Sequence, residues 1–287
     1  MTRNRSLFTR ALALLALALV AGAIWLAIDR LTSVKHTHAT ALPVATRILV
    51  PEGDTRRQIA ARAHAAGLIG SYLAASKRSA LLDPAHYGAL RGTPNLEGFL
   101  FPATYDLYRG SSASRLVHEQ LIAFTERFGD EAIRRARELH VTPYQLLIVA
   151  SIIEREAQLP GDRSDVAAVI YNRLRLNMPL GVDATIRYAL NDYTHPLTVA
   201  QLALDSPYNT RTHRGLPPTP ISNPGLASIH AAAYPAHVGY LYYVAGADGC
   251  GEQVFSTSFA QFERDAAAYR EALRANGGRV PACRKKS

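Results

Sequence analysis

The stretch from Thr142 to Pro160, TPYQLLIVASIIEREAQLP, sets an almost wholly apolar helix before two carboxylates, Glu154 and Glu156, at its C-terminal end. Thr142 suits an N-cap and Pro143 the first helical position. Pro160-Gly161 forces a stop, so both ends are signalled locally. At about 100° per residue the two acids point roughly 200° apart, and only one can face a given cleft. Glu156 follows Val149, Ile152 and Ile153, whereas Glu154 follows Leu147, Ala150 and Ser151, a smaller and more polar surface. Apolar surroundings and the negative helix end both favour a retained proton, which makes Glu156 the better candidate for a general acid. On this spacing alone a second reading stays open: both acids as solvated residues of a fraying turn, paired with Arg155 or Arg163.

The 287 residues are 48% apolar and 19% charged, the composition of a folded chain with room for an anchor plus one large or two small domains. Ala11 to Ile28 (ALALLALALVAGAIWLAI) carries no charge over 18 residues, the lower limit for crossing a bilayer. Arg3, Arg5 and Arg10 precede it, an arrangement that keeps the N-terminus in the cytoplasm and exports the rest. A cleaved signal peptide is the alternative, with Ala21-Gly22-Ala23 as the cleavage site, but the apolar run continues through Trp25 and Ile28 and favours a retained anchor. Asp29 to Ala45 is polar or small, without periodicity, and reads as a linker. The two cysteines, Cys250 and Cys283, both fall on the exported side, where a disulfide is permitted and a free pair is the alternative. Two cysteines build no zinc framework. A net charge of +9 suits anionic partners such as cell-wall polymer or lipid headgroups; export and the lack of a binding motif argue against nucleic acid.

From Arg47 a short β-rich run, a Pro-Glu-Gly-Asp turn and a helix starting at Asp54 or Thr55 follow, with Gly67 as C-cap. Asn95 to Tyr108 (NLEGFLFPATYDLY) is aromatic-rich and extended, its rings either lining a cleft or filling a core. Helical patterns cover Ser114 to Leu139 and Ser164 to Asn177, the latter ended by Pro179. Ser206 to Ile229, crowded with Pro, Asn and Gly, reads as a structured loop over a cleft. Tyr240 to Ala245 and Val254 to Ser256 form a hairpin, and a helix from Ser258 to Asn276 closes the chain at Gly277. Neither HExxH, GxSxG, a P-loop nor a dinucleotide fingerprint occurs, and the ten histidines show no ligand spacing.

Seven pieces, in order, resemble the YceG-like family, endolytic murein transglycosylases of the MltG type. They are VPEGDTRRQIA (Val50 to Ala60), LEGFLFPATY (Leu96 to Tyr105), ASIIEREA (Ala150 to Ala157), VIYNRLRLNMPL (Val169 to Leu180), DSPYNTRTHRGLPPTPISNPGLASI (Asp205 to Ile229), YLYYVA (Tyr240 to Ala245) and VFSTSFAQF (Val254 to Phe262). The resemblance implies an α+β fold with an N-terminal transmembrane helix, a small LysM-like β/α module and a mainly helical, lysozyme-like catalytic domain carrying a β-hairpin. The boundaries expected are a cytoplasmic tip and anchor at 1–30, a linker at 31–45, the module at 46–94 and the catalytic domain at 95–287. It makes Glu156 the catalytic acid with Glu154 beside it, and Asp183, Thr185, Tyr208 and Asn209 substrate-binding or supporting residues, although a lone Asn or Asp is more commonly a cap or turn residue.

By the same resemblance the protein sits in the inner membrane by a single pass, its catalytic domain extracytoplasmic. It acts on peptidoglycan glycan strands without metal or cofactor, alongside peptidoglycan synthases, and leaves 1,6-anhydro-N-acetylmuramic acid ends that limit strand elongation. Two departures bear on substrate range: the segment ahead of LEGFLFP is short, and the family's TDPT stands here as Val182-Asp183-Ala184-Thr185. The rival function is a non-enzymatic, anchored wall-binding scaffold.

Overall fold

The computed structural model describes residues 45–283 together with Gly22. Strand β1 (Ala45–Leu49) runs into a turn and helix α1 (Arg56–Ala65), whose N-cap Thr55 forms a capping box with Gln58. A short helix α2 (Tyr72–Ala75) and a 3-10 turn at Pro84–Tyr87 lead to strand β2 (Thr104–Tyr108). Helix α3 (Ala113–Glu138) is broken at Gly129, and α4 (Pro143–Glu156) follows. Next come α5 (Arg163–Arg175), α6 (Asp183–Leu190), the short α7 (Val199–Leu202) and α8 (Leu226–Ala233). The hairpin of β3 (Tyr242–Ala245) and β4 (Gln253–Ser256) precedes the closing helix α9 (Phe259–Ala275).

Helix α4 sits at the centre. Its Thr142 cap and Pro143 start are those its sequence signals, and Gln145 completes a capping box with Thr142. Tyr144 and every residue from Leu146 to Ile153 are buried, because α8 covers one side and α3 and α5 flank it. Each such Leu or Ile removed from water contributes about 1.5–3 kcal/mol, so the position of this helix is strongly fixed. The aromatic residues of LEGFLFP fill core rather than line a cleft. Phe99 is fully buried, edge-on to Phe124 at 5.0 Å and stacked on Tyr144 at 5.8 Å. Gly98 lets this turn approach the loop of residues 206–225: with φ +89°, a Cβ there would lie 2.5 Å from the Pro220 ring.

The expected fold class needs correction. Among the described residues no helix is long and apolar enough to cross a membrane, and the run at 11–28, Gly22 apart, lies outside them. Nor is the segment 46–94 a self-contained module. Strand β1 pairs antiparallel with β2, from Ala45↔Tyr108 to Leu49↔Thr104, and residues 45–283 belong to one compact unit. The physical reason lies in the size of the strand-turn-helix unit: β1 has no partner before residue 95, and Ile59 and Ala63 of α1 bury into the common core. The described fold is α+β, with mixed helices and two small two-stranded antiparallel sheets.

Cys250 and Cys283 form a disulfide that ties the tail after α9 to the turn of the β3–β4 hairpin.

Candidate active site

The last turn of α4 sends three successive charged side chains three ways. Glu154 Oε2 accepts a hydrogen bond from the Gly225 N–H, 3.0 Å away, at the start of α8. Gly225 caps that helix with no side chain of its own, so Glu154 meets an otherwise uncapped N-terminus. Arg155 donates to Gly53 O at 3.4 Å and lies 4.7 Å over the Tyr193 ring. Glu156 turns towards the hairpin, where the Tyr243 hydroxyl donates to its Oε2 at 2.9 Å. The two acids diverge as helical geometry requires, but not because one flank is polar. Helix α4 is buried all round, and the acids differ in what they meet beyond its end.

Both strands of the hairpin grip that end. Tyr243 of β3 holds the Glu156 carboxyl, and Gln253 Nε2 of β4 donates to the Glu156 backbone oxygen at 2.9 Å, satisfying one of the carbonyls a helix terminus leaves free. Arg173 anchors the base of the hairpin through Leu241 O at 2.6 Å and lies 5.2 Å over the Tyr242 ring. Burial pushes the Glu156 carboxyl above the usual range, and the negative charge of Asp183 acts in the same sense. The Tyr243 hydroxyl, the Ala184 N–H and Arg155 pull partly against it. Burial beside that carboxyl raises the Tyr243 phenol far up, so it remains a donor.

Of the supporting residues named from sequence, Asp183 joins Glu156. It opens α6 and is paired with Arg211 Nη2 at 2.6 Å. Thr185 is fully buried and donates to Val182 O at 2.7 Å. Asn209 is fully buried as well, its amide donating to Leu202 O and Leu204 O and its oxygen accepting from the Arg211 N–H. These two organise turns around the site. Tyr208 bonds Thr219 Oγ1 at 2.8 Å and sits in a separate cavity beside Glu97. Tyr243, Gln253 and Arg211 had no local signal.

Glu97 is the most deeply buried acid among the described residues, 2% exposed. It accepts from the Arg56 N–H at 3.0 Å, from Asn223 Nδ2 at 2.8 Å and from the Tyr188 hydroxyl at 3.1 Å. Burial raises its carboxyl from 4.5 to about 7, opposed by these bonds and by the Arg56 charge. Between those two values the folded chain binds a proton that the unfolded chain has released, so stability falls as pH rises through the window. The loss attributable to this group is about 3 kcal/mol at most. Tyr72 and Tyr188, which also face it, stay neutral there because burial raises both. Urea midpoints measured from pH 4 to 8 should decline, with a shallower slope in Glu97→Gln; an unchanged slope would refute the assignment.

Among the described residues no three His, Cys, Asp or Glu side chains gather closely enough to hold a metal ion. The central helix of the α+β scaffold ends in an acid, Glu156, gripped by a hairpin and flanked by the Asp183–Arg211 pair. The chain belongs to the YceG-like family, whose model matches residues 24–268. It is 36% identical over 169 residues to the endolytic murein transglycosylase of Bacillus subtilis (strain 168), matching 59% of this chain and 46% of that one. To the protein of that name from Streptococcus pneumoniae serotype 2 (strain D39 / NCTC 7466) it is 33% identical over 155 residues, 52% of this chain and 28% of the relative. The chain thus spans less than half the length of these curated relatives. The crystal structure of a yceG-like protein from Listeria monocytogenes superposes with a TM-score of 0.68 at 32% identity, covering 76% of this chain and 75% of that one.

Proposed function

We propose that this chain is an endolytic murein transglycosylase, a lyase that cuts the bond between N-acetylmuramic acid and N-acetylglucosamine in nascent glycan strands outside the cytoplasm. The observation that carries the reading is Glu156: a carboxyl whose proton is held by burial, with Tyr243 placed to stabilise the anion left after transfer. Glu156 protonates the leaving glycosidic oxygen as the anomeric C–O bond breaks. The sugar's own 6-hydroxyl oxygen bonds to the anomeric carbon, and its proton returns to Glu156. No water is consumed, and a 1,6-anhydro end results. Residues 95–287 carry the catalytic part, with 46–94 packed against it; peptidoglycan synthases are the neighbours that such trimming of growing strands implies.

Incubating the chain with purified glycan strands and analysing the products by mass spectrometry tests this. Internal 1,6-anhydro ends are expected; strands bound but uncut would indicate a scaffold, and reducing ends a hydrolase.

The pH profile gives a second test. An acid must be protonated to act, so kcat/KM falls as pH rises through the raised Glu156 pKa. Asp183→Asn removes a charge that keeps the proton on and frees the Arg211 cation, so the alkaline limb should move to lower pH. Tyr243→Phe removes a donor to the carboxylate and should move it to higher pH, with kcat down about tenfold for one charge-assisted hydrogen bond. Shifts in the same direction would contradict the site.

A further inference from the structure

The cavity beside Glu97 takes part in no step of that reaction. It encloses about 410 Å³ and is walled by Tyr188, Tyr193, Tyr208, Asn95, Asn191 and Arg57. Glu97 itself offers a ligand little, since its oxygens are engaged by Arg56, Asn223 and Tyr188; its part is to hold the wall in place. What faces the cavity is a set of phenol rings and amides. The Tyr188 and Tyr208 rings stand 5.2 Å apart, tilted by 49°. The Tyr193 hydroxyl is shielded from solvent, with the Thr55 side chain beside it but no hydrogen bond of normal geometry made, although a buried phenol ordinarily has one. Asn95 uses its side-chain oxygen on the Glu97 N–H at 2.8 Å, so its NH₂ remains as a donor.

Two elements link this cavity to Glu156. Helix α6 begins at Asp183, whose charge acts on Glu156, and five residues on, about 7.5 Å along its axis, presents Tyr188 to Glu97. Arg155, next in sequence to Glu156, lies over the Tyr193 ring. We propose that the cavity is a saccharide subsite that takes an N-acetylated hexosamine of the glycan strand, adjacent to the bond that Glu156 cuts. It rests on the transglycosylase reading for its substrate. Phenol rings match the apolar C–H face of a pyranose, the Asn95 amide can donate to an acetamido oxygen, and the unpartnered Tyr193 hydroxyl can pair with a sugar hydroxyl. An anion fits less well. The Arg56 guanidinium is committed to Ser76 Oγ and Leu73 O, and that of Arg155 to Gly53 O and the Tyr193 face, which leaves Arg57 as the remaining cation of the wall.

The test uses the full chain carrying Glu156→Gln, so that nothing turns over, titrated calorimetrically with β-1,4-linked tetra-N-acetylchitotetraose and with the same tetramer de-N-acetylated. The acetylated probe should bind at least tenfold more tightly. Adding Tyr193→Phe or Asn191→Gly, the glycine keeping the left-handed backbone of the α6 C-cap, should weaken it by about tenfold each, with melting temperature nearly unchanged. Equal affinity for the two probes, or full affinity in both variants, would overturn the subsite. A loss confined to peptide-bearing strands on Arg57→Ala would overturn it too, in favour of a stem-peptide site. In the otherwise wild-type chain, Tyr193→Phe should raise KM for glycan strands more than it lowers kcat. Anhydro ends formed with unchanged KM in both variants would remove the subsite and leave the catalytic reading standing. Probe binding that depends on Tyr193 in a chain yielding no anhydro ends would do the reverse.

Discussion

Glu156→Gln is expected to lower glycan cleavage by about 10³-fold while leaving the fold and strand binding nearly intact. The amide keeps the side chain's length, and its oxygen can still accept from the Tyr243 hydroxyl, but it has no proton to deliver to the leaving oxygen. Removing a carboxyl whose ionisation burial disfavours should also leave the protein slightly more stable at neutral pH. Glu154→Gln makes the contrast. Its amide oxygen can still accept from the Gly225 N–H, and what is lost is a negative charge at the N-terminus of α8, worth about 1 kcal/mol. Cleavage should stay within about tenfold of wild type. The comparison is made by quantifying anhydro ends per unit time in both variants, with circular dichroism to confirm folding. Retained turnover in Glu156→Gln, together with loss in Glu154→Gln, would assign the acid to Glu154.

The start of α4 was legible because capping is local: Thr142 and Pro143 are adjacent, whereas the helix stops at Glu156, four residues before the Pro160 that signalled its end. The divergence of Glu154 and Glu156 was legible for the same reason, since it follows from helical pitch alone. Which neighbours they would find was not. Tyr243 lies 87 residues from Glu156, and YLYYVA announces a strand without saying which ring will reach a carboxyl. The segment at 46–94 read as a separate module from its contiguous strand and helix and from the family resemblance, while the partner strand at 104–108 lies at the end of an aromatic run that reads equally as cleft lining or core. That run did carry a signal: a lone glutamate set between Leu96 and Gly98-Phe99-Leu100, an acid that an apolar neighbourhood can hold only with partners. Its main side-chain partner, Asn223, is 126 residues away in a Pro- and Asn-rich loop where no pattern distinguishes it from a turn residue.

Asn223→Ala is expected to cause the largest stability loss, about 4 kcal/mol out of the 5–15 kcal/mol typical of a domain. Asn223 is fully buried, and all four of its side-chain bonds join segments distant in sequence. Its oxygen accepts from the Gly98 and Leu100 N–H groups at 2.9 and 3.0 Å, and its amide donates to Asp54 O at 2.9 Å and to Glu97 Oε1 at 2.8 Å. Alanine would leave two N–H groups, a carbonyl and a buried carboxylate each short of a partner, where water has little access. Asn223→Asp separates the lost bonds from the lost shape. The new carboxylate keeps the two acceptor contacts but stands against Glu97, and two adjacent buried carboxylates cannot both ionise. Denaturation midpoints should therefore show Asn223→Asp badly destabilised at pH 8 and partly restored at pH 5, when the pair holds a shared proton, whereas Asn223→Ala stays low at both. A midpoint for Asn223→Ala within about 1 kcal/mol of wild type, or an aspartate variant indifferent to pH, would mean that the Glu97 cluster does not hold α1, α6 and the 206–225 loop together.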